Sequence, residues 1–306
     1  MNNFIPNSRF AHVRHFVLML LAVGVLAACS TALPAQSRGP VQSRGDDSDA
    51  AATELRPGYA PTYADLVTFS LGADLVAIVT VDEQAVFPPE RAPDVPAGRV
   101  RLYLETLTRN LLASNTAVGE SLIFVTDTDR EADGDAPDLE ERSYIIFANR
   151  IAGRPGEVQL ISSRAMFPAG PIIEERLRRV LRQLATEGAP PSVTSVRDVI
   201  SVPGNLVGES ETQMFIETQS GAPVSLSVIR RPGMAPQWGV SLGEIVDSSA
   251  RAPERESLAW FGFACFLPKE LPDSAFLQPD RQSQARARDD YALVLAALGP
   301  CERRFS

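Results

Sequence analysis

Residues 171–187, PIIEERLRRVLRQLATE, decide how the rest of the chain is read. Pro171 stands where a helix starts and Gly188 where one stops. Ile173, Leu177, Val180, Leu181 and Leu184 recur at helical spacing and form one apolar stripe. Glu174 and Glu175 sit in the first turn, with Arg178 and Arg179 four residues on, which suits both the helix dipole and the favourable order of charge pairs. The arginine-rich face is expected to meet solvent. On either side of this helix the sequence reads mainly as strand. The expected class is therefore α+β: two small β-rich units joined by an amphipathic helix, with a further helix at the C-terminus.

Towards the N-terminus, LVAIVTVDEQAVF (75–87), RVRLYLETL (99–107), SLIFVTD (121–127), SYIIFANR (143–150) and EVQLIS (157–162) read as strands. Five short strands fit either an OB-like barrel or an open sheet. Thr62 caps a short helix before them, YADLVTFSL, ending at Gly72. Towards the C-terminus, Pro190-Pro191 breaks the chain, and strands follow at 193–202, 211–218, 222–231 and 237–246. The turn Gln219-Ser220-Gly221 makes a hairpin of the middle pair. LAWFGFACFL (258–267) is apolar throughout, so its periodicity does not separate helix from strand, and it is too short to span a bilayer. It reads as core. A last helix spans 280–298, with Tyr291, Leu295 and Leu298 facing inward.

The first 28 residues carry a different signal. RFAHVRH (9–15) is positively charged, and FVLMLLAVGVLAA (16–28) is an apolar run of signal-peptide length. Residues 29–57 have almost no large apolar side chains and repeat QSRG at 36–39 and 42–45, which describes a tether that cannot bury a core. The expected organisation is signal peptide 1–28, tether 29–57, a β-rich unit 58–189 ending in the helix, and an α+β unit 190–306. Loss of Arg9 and Arg14 with the signal takes the net charge from −9 to −11, so nucleic acid is excluded as a partner.

The run ends in Leu26-Ala27-Ala28-Cys29, which resembles the lipobox of bacterial lipoproteins. That resemblance implies lipid on the Cys29 sulfur and removal of the residues before it. Ser30, in place of aspartate, implies the periplasmic side of the outer membrane by the sorting rule of that class. Cleavage after Ala32, giving a soluble periplasmic or secreted product, is the alternative. Three cysteines form an odd set. With lipid on Cys29, Cys265 and Cys301 remain as an even pair for a disulfide in an oxidising compartment.

The only histidines are His12 and His15, so the exported part would have none. Gly239-Val240-Ser241-Leu242-Gly243 fits the nucleophile-elbow pattern, but it lies in an alternating strand and has no imidazole to take the serine proton. Val240, Leu242 and Ile245 read there as core. Lys269, the one lysine, stands in a polar stretch that offers no desolvation to make it a base. Asp129, Glu131, Asp133, Gly134 and Glu140 approach calcium-loop spacing, with Glu131 and Pro137 departing from it. Two carboxylates flanked by Trp238 or Trp260 would suit glycoside hydrolysis. No phosphate-binding glycine loop is present, so no cofactor is expected.

ETQMFIETQSGAPVSLSVIRR (211–231) and WGVSLGEIVD (238–247) resemble a group of exported alphaproteobacterial proteins, a likeness extending over 60–301. That group carries no activity to transfer. The expected function is an envelope lipoprotein that binds or scaffolds a periplasmic protein or glycan, with no catalytic residue identified. A carboxylate-based hydrolase of envelope polysaccharide and a calcium-dependent adhesion module are the alternatives.

Overall fold

The computed structural model describes residues 60–243 and 250–306. The signal segment, Cys29, the tether and Ile245 lie outside the described residues. The chain passes into α1 (Tyr63–Gly72), whose first turn is closed by a reciprocal cap. The Thr62 hydroxyl accepts from Asp65 N, and the Asp65 carboxylate accepts from Thr62 N. α1 lies against the first sheet through Phe69, whose ring is 5.4 Å from Phe147 and 5.7 Å from Phe167.

That sheet is antiparallel, with six strands: β1 (Leu75–Val86), β2 (Arg99–Ser114), β3 (Ser121–Asp129), β4 (Ser143–Arg150), β5 (Val158–Leu160) and β6 (Met166–Pro168). The order is β3-β2-β1-β4-β5, with β6 also on β4. β1 is central, and Leu75 to Val79 are all buried, which explains a continuous apolar run in place of alternation. The β1–β2 register shifts three times, between Val76 and Ala77, Ile78 and Val79, and Val81 and Glu83. Bulges increase twist and bend a strand. The sheet curls until its edges meet at one parallel bridge, Ile123–Glu157, where Ile123 N donates to Gly156 O at 2.8 Å. It remains an open sheet, not a closed OB-like barrel. β5 is the reason: it has three residues, between a glycine turn at 153–156 and a turn in which Ala165 N donates to Ser162 O. A ladder with β3 needs a longer partner.

α2 (Pro171–Glu187) follows, with Ile173, Leu177 and Val180 buried and Leu181 and Leu184 packed at the edge of the core. The chain then turns at Pro190-Pro191 into a four-stranded antiparallel meander. Its strands are β7 (Val193–Pro203), β8 (Ser210–Thr218), β9 (Val224–Arg230) and β10 (Gln237–Leu242), in the order β10-β9-β8-β7. Val196, Val199, Met214, Ile216, Leu226 and Val228 give this sheet its buried face. One continuous core joins residues on both sides of the expected border at 189/190, and residues 60–243 and 250–306 belong to one compact unit.

The ambiguous apolar stretch is a helix, α3 (Leu258–Phe266), capped by the Ser257 hydroxyl accepting from Trp260 N. Gly262 lies where a Cβ would stand 2.6 Å from Pro191 O, so this helix reaches the proline corner only because it has no side chain there. α4 (Arg281–Leu298) closes the second sheet, with Ala287, Tyr291, Val294 and Leu298 inward. It also buries a charge: Asp290 is fully enclosed and accepts from Arg230 Nε and from the Thr212 hydroxyl, each at 2.5 Å. A disulfide joins Cys265, near the end of α3, to Cys301, just past α4.

Candidate functional site

Where α1, α2, α3 and the C-terminal segment converge, a cleft of about 220 Å³ opens. The Tyr63 hydroxyl donates to Gln183 Oε1 at 2.8 Å, and Gln183 Nε2 donates to the carbonyl of Glu256 at 3.2 Å. Burial pushes the Tyr63 hydroxyl well above its ordinary range, and the carboxylates of Glu187 and Glu256 push the same way. Tyr63 is therefore a fixed neutral donor. Its ring meets Trp260 edge-on at 6.0 Å, and Trp260 Nε1 donates to Leu298 O at 2.8 Å.

The cleft holds three guanidiniums in different states. Arg176 donates to Pro61 O at 3.3 Å and lies 3.7 Å from Glu256. Arg304 reaches Ala60 O at 3.5 Å and Glu302 at 3.4 Å. Arg255 lies over the Trp260 ring at 5.6 Å and has no ion-pair partner among the described residues. Next in sequence, Glu256 adopts a left-handed backbone, φ 59, which costs a non-glycine residue about 1–2 kcal/mol. The strain is offset by Gln183 on its carbonyl and by Arg176 and Arg179, each 3.7 Å from its carboxylate. That turn sets Arg255 above Trp260. Arg179 faces solvent as expected, its side chain 48% exposed, and adds to this support from that face.

The cleft wall formed by the C-terminal segment is held by Asp65, which is fully buried. Its carboxylate accepts from Arg304 N, Phe305 N, Ser306 N and the Ser306 hydroxyl, in addition to Thr62. Burial pushes this carboxyl up, but the hydrogen bonds outweigh it and hold it below the usual carboxylate range. Phe305 packs edge-on to Phe167 at 5.3 Å.

A second, larger groove of about 440 Å³ crosses the outer face of the first sheet, past Tyr103, Ile123, Val125 and Gln159. Its charges are already satisfied. Arg101 is bidentate to Asp94, both contacts 2.9 Å, and meets Asp127 at 2.7 and 3.0 Å, while Arg154 pairs with Glu157 at 3.0 Å.

The residues singled out in the sequence are placed as follows. Asp129 lies 3.3 Å from Arg99. Asp133 accepts from Asp135 N, and Glu140 accepts from Gln84 N. Glu131 N closes a turn onto Asp135 O. These four carboxylates are not brought together, and among the described residues no group of three or more His, Cys, Asp or Glu is placed to hold a metal ion. Ser241 is a buried strand residue opposite Ser225 in β10–β9, in no strand–helix elbow. Leu242, expected in the core, is 61% exposed because it ends β10 at the rim, whereas Val240 packs on the core. Lys269 lies on the exposed stretch after α3.

Trp260 lines the cleft with Glu256 and Glu302, but it is 4% exposed and covered by Arg255, so it offers no ring face to a sugar. Trp238 packs at the edge of the core in β10. The Arg255–Trp260 pair escaped sequence reading because its only signal is a spacing of five residues across a helix start. Among the described residues, no helix is long and apolar enough to cross a membrane. No protein-family model matches the chain, and no curated protein shows significant similarity to it.

Proposed function

We propose that this chain is an exported, lipid-anchored binding module of the cell envelope that works by recognition and not by catalysis. The Cys265–Cys301 disulfide carries the reading. Such bonds persist in oxidising compartments, and this one leaves Cys29, in its lipobox-like setting, as the odd sulfur. Lipid on Cys29 would tie the tether to a membrane, and the periplasmic side of the outer membrane is the assignment that Ser30 favours. The cleft beside Ala60 and Pro61 supplies the recognition surface. Its polar groups are held by hydrogen bonds and ring contacts, and Arg255 has no carboxylate partner among the described residues, which suits a preformed binding site.

Mass spectrometry of the mature N-terminus tests the anchor. The expected product begins at a diacylated or triacylated Cys29, and Cys29→Ser moves the protein from the membrane fraction to the soluble one. A mature chain starting upstream of Cys29, or unmodified at its sulfur, would remove this reading.

A further inference from the structure

We propose that the Trp260 cleft binds an oxyanion, the carboxylate or phosphate end group of a small ligand, with Arg255 as its main contact. The idea rests on the binding half of the reading above and is independent of the lipid anchor.

The argument starts from how a guanidinium spends its donors. Stacking on an aromatic ring uses the face of the group and leaves its in-plane N–H donors directed outward, in the fork that matches a carboxylate or phosphate. Arg255 lies over Trp260 with its guanidinium carbon 5.6 Å from the ring centroid, and no carboxylate among the described residues takes its N–H donors. It is also wedged in place. A Cβ added to Gly299 would lie 3.2 Å from Arg255 Nη1, so the glycine that ends α4 leaves room for the guanidinium. Trp260 beneath is fixed through Leu298 O. The exposed Arg255 side chain is thus confined on two sides, by the Trp260 ring and by Gly299, which reduces the entropy cost of binding.

The surroundings favour an anion and limit its size. Arg176, Arg255 and Arg304 line the cleft against Glu256 and Glu302, an excess of one positive charge on a chain of net charge −9. Glu256 and Glu302 are engaged by Arg176, Arg179 and Arg304, so Arg255 carries the unmatched charge. At about 220 Å³ the cleft is smaller than the ~300–1,000 Å³ typical of sites for drug-sized ligands. It fits one charged group and its immediate substituents. The larger groove on the first sheet lacks this feature, because Arg101 is saturated by two carboxylates.

Trp260 supplies the readout. The full chain with Trp238→Phe leaves Trp260 as the sole indole. It is titrated at constant ionic strength with inorganic phosphate and with glucuronate, using glucose and sodium chloride as blanks. A saturable change in emission with one or both anions and not with the blanks is expected. The anion that saturates identifies the source of the oxyanion. Arg255→Gln should weaken binding at least tenfold, and Arg255→Lys should weaken it less, since charge is kept and the fork lost. Arg303→Gln is the control: Arg303 also stacks on rings, those of Phe261 and Phe266, but does not line the cleft, and its loss should change affinity less than twofold. No saturable change with either anion, or equal loss in the Arg255 and Arg303 variants, overturns the proposal. Should Arg255→Gln not fold, the Arg255→Lys comparison decides alone. An unmodified Cys29 would sink the anchor and leave this titration untouched.

Discussion

Asp65 and Ser306 are joined twice across 241 residues of sequence: Asp65 Oδ1 accepts from the backbone N–H of Ser306 at 3.0 Å and from its hydroxyl at 2.9 Å. The same carboxylate takes the N–H groups of Thr62, Arg304 and Phe305. One buried anion therefore caps α1 and gathers the C-terminal segment onto it. A charge can be buried at this depth only because so many donors surround it.

Replacing Asp65 leaves those donors without an acceptor. Asp65→Ala is expected to cost about 3–5 kcal/mol in urea unfolding, the range for breaking a buried charged network from one side. The pH dependence has a definite sign. The folded carboxyl titrates below its unfolded value of about 3.9, so its contribution is complete above that value and is lost as pH falls through the folded one. The stability gap between wild type and Asp65→Asn should be constant from about pH 7 to 5 and close below about pH 4. A gap that widens in acid would contradict the assignment.

Reduction of Cys265–Cys301 opens a loop with a sequence separation of 36 residues. In the chain-entropy view this lowers stability by about 3–4 kcal/mol. Denaturant unfolding of the Cys265→Ser, Cys301→Ser double variant measures it. Because Pro300 and Glu302 line the cleft, loss of the bond should also change Trp260 emission before global unfolding.

The Asp290–Arg230 pair should behave asymmetrically. Asp290→Ala removes the carboxylate that accepts from the Arg230 guanidinium and leaves the Thr212 hydroxyl only the Ser201 hydroxyl, 2.8 Å away, at an expected cost of about 3–5 kcal/mol. Asp290→Leu combined with Arg230→Met should be less destabilised than Asp290→Ala. A double variant as unstable as the sum of its singles would show that the pair is not one unit.

Gly262→Ala ordinarily favours a helix by up to about 1 kcal/mol. Here the added methyl meets Pro191 O at 2.6 Å and Pro191 Cδ at 3.0 Å, and backbone cannot give way as a flexible side chain can. A net loss of about 1–3 kcal/mol in thermal or urea unfolding is expected. An equal or higher stability would mean that α3 can move off the proline corner.

How far the sequence could be read depended on whether the deciding forces were local. α2 was legible because its stripe, its proline and its glycine all lie within its own residues. α4 and the strands of the second sheet were legible for the same reason, down to the turn after Thr218, although β10 ends at Leu242, short of the expected 246 among the described residues. LAWFGFACFL was ambiguous because most of it is buried and its apolar pattern has no period; as a helix it is capped by Ser257 and fits Pro191 at Gly262. β6 was missed because its three residues form a strand only by pairing with Tyr144–Ile146. β2 runs to Ser114, past its alternating part, because it follows β1 across the hairpin. The cleft was almost invisible. Thr62 announces a cap, but nothing near it says that Asp65 completes that cap or that Arg304, Phe305 and Ser306 share its carboxylate.

The bridge between Ile123 and Glu157 sets how the molecule presents its borders. A long free strand margin invites another chain to pair with it, and that is a common route into aggregates. By bringing β3 against the turn before β5, the bulged first sheet covers part of such a margin, at Ile123, with its own opposite rim. The protection is fastened at one place, so the amide of Ile123 becomes a gauge of it. Its hydrogen exchange reports opening of this seam separately from unfolding of the core, and a solution that accelerates that exchange alone exposes a sticky margin while the rest of the fold stays intact.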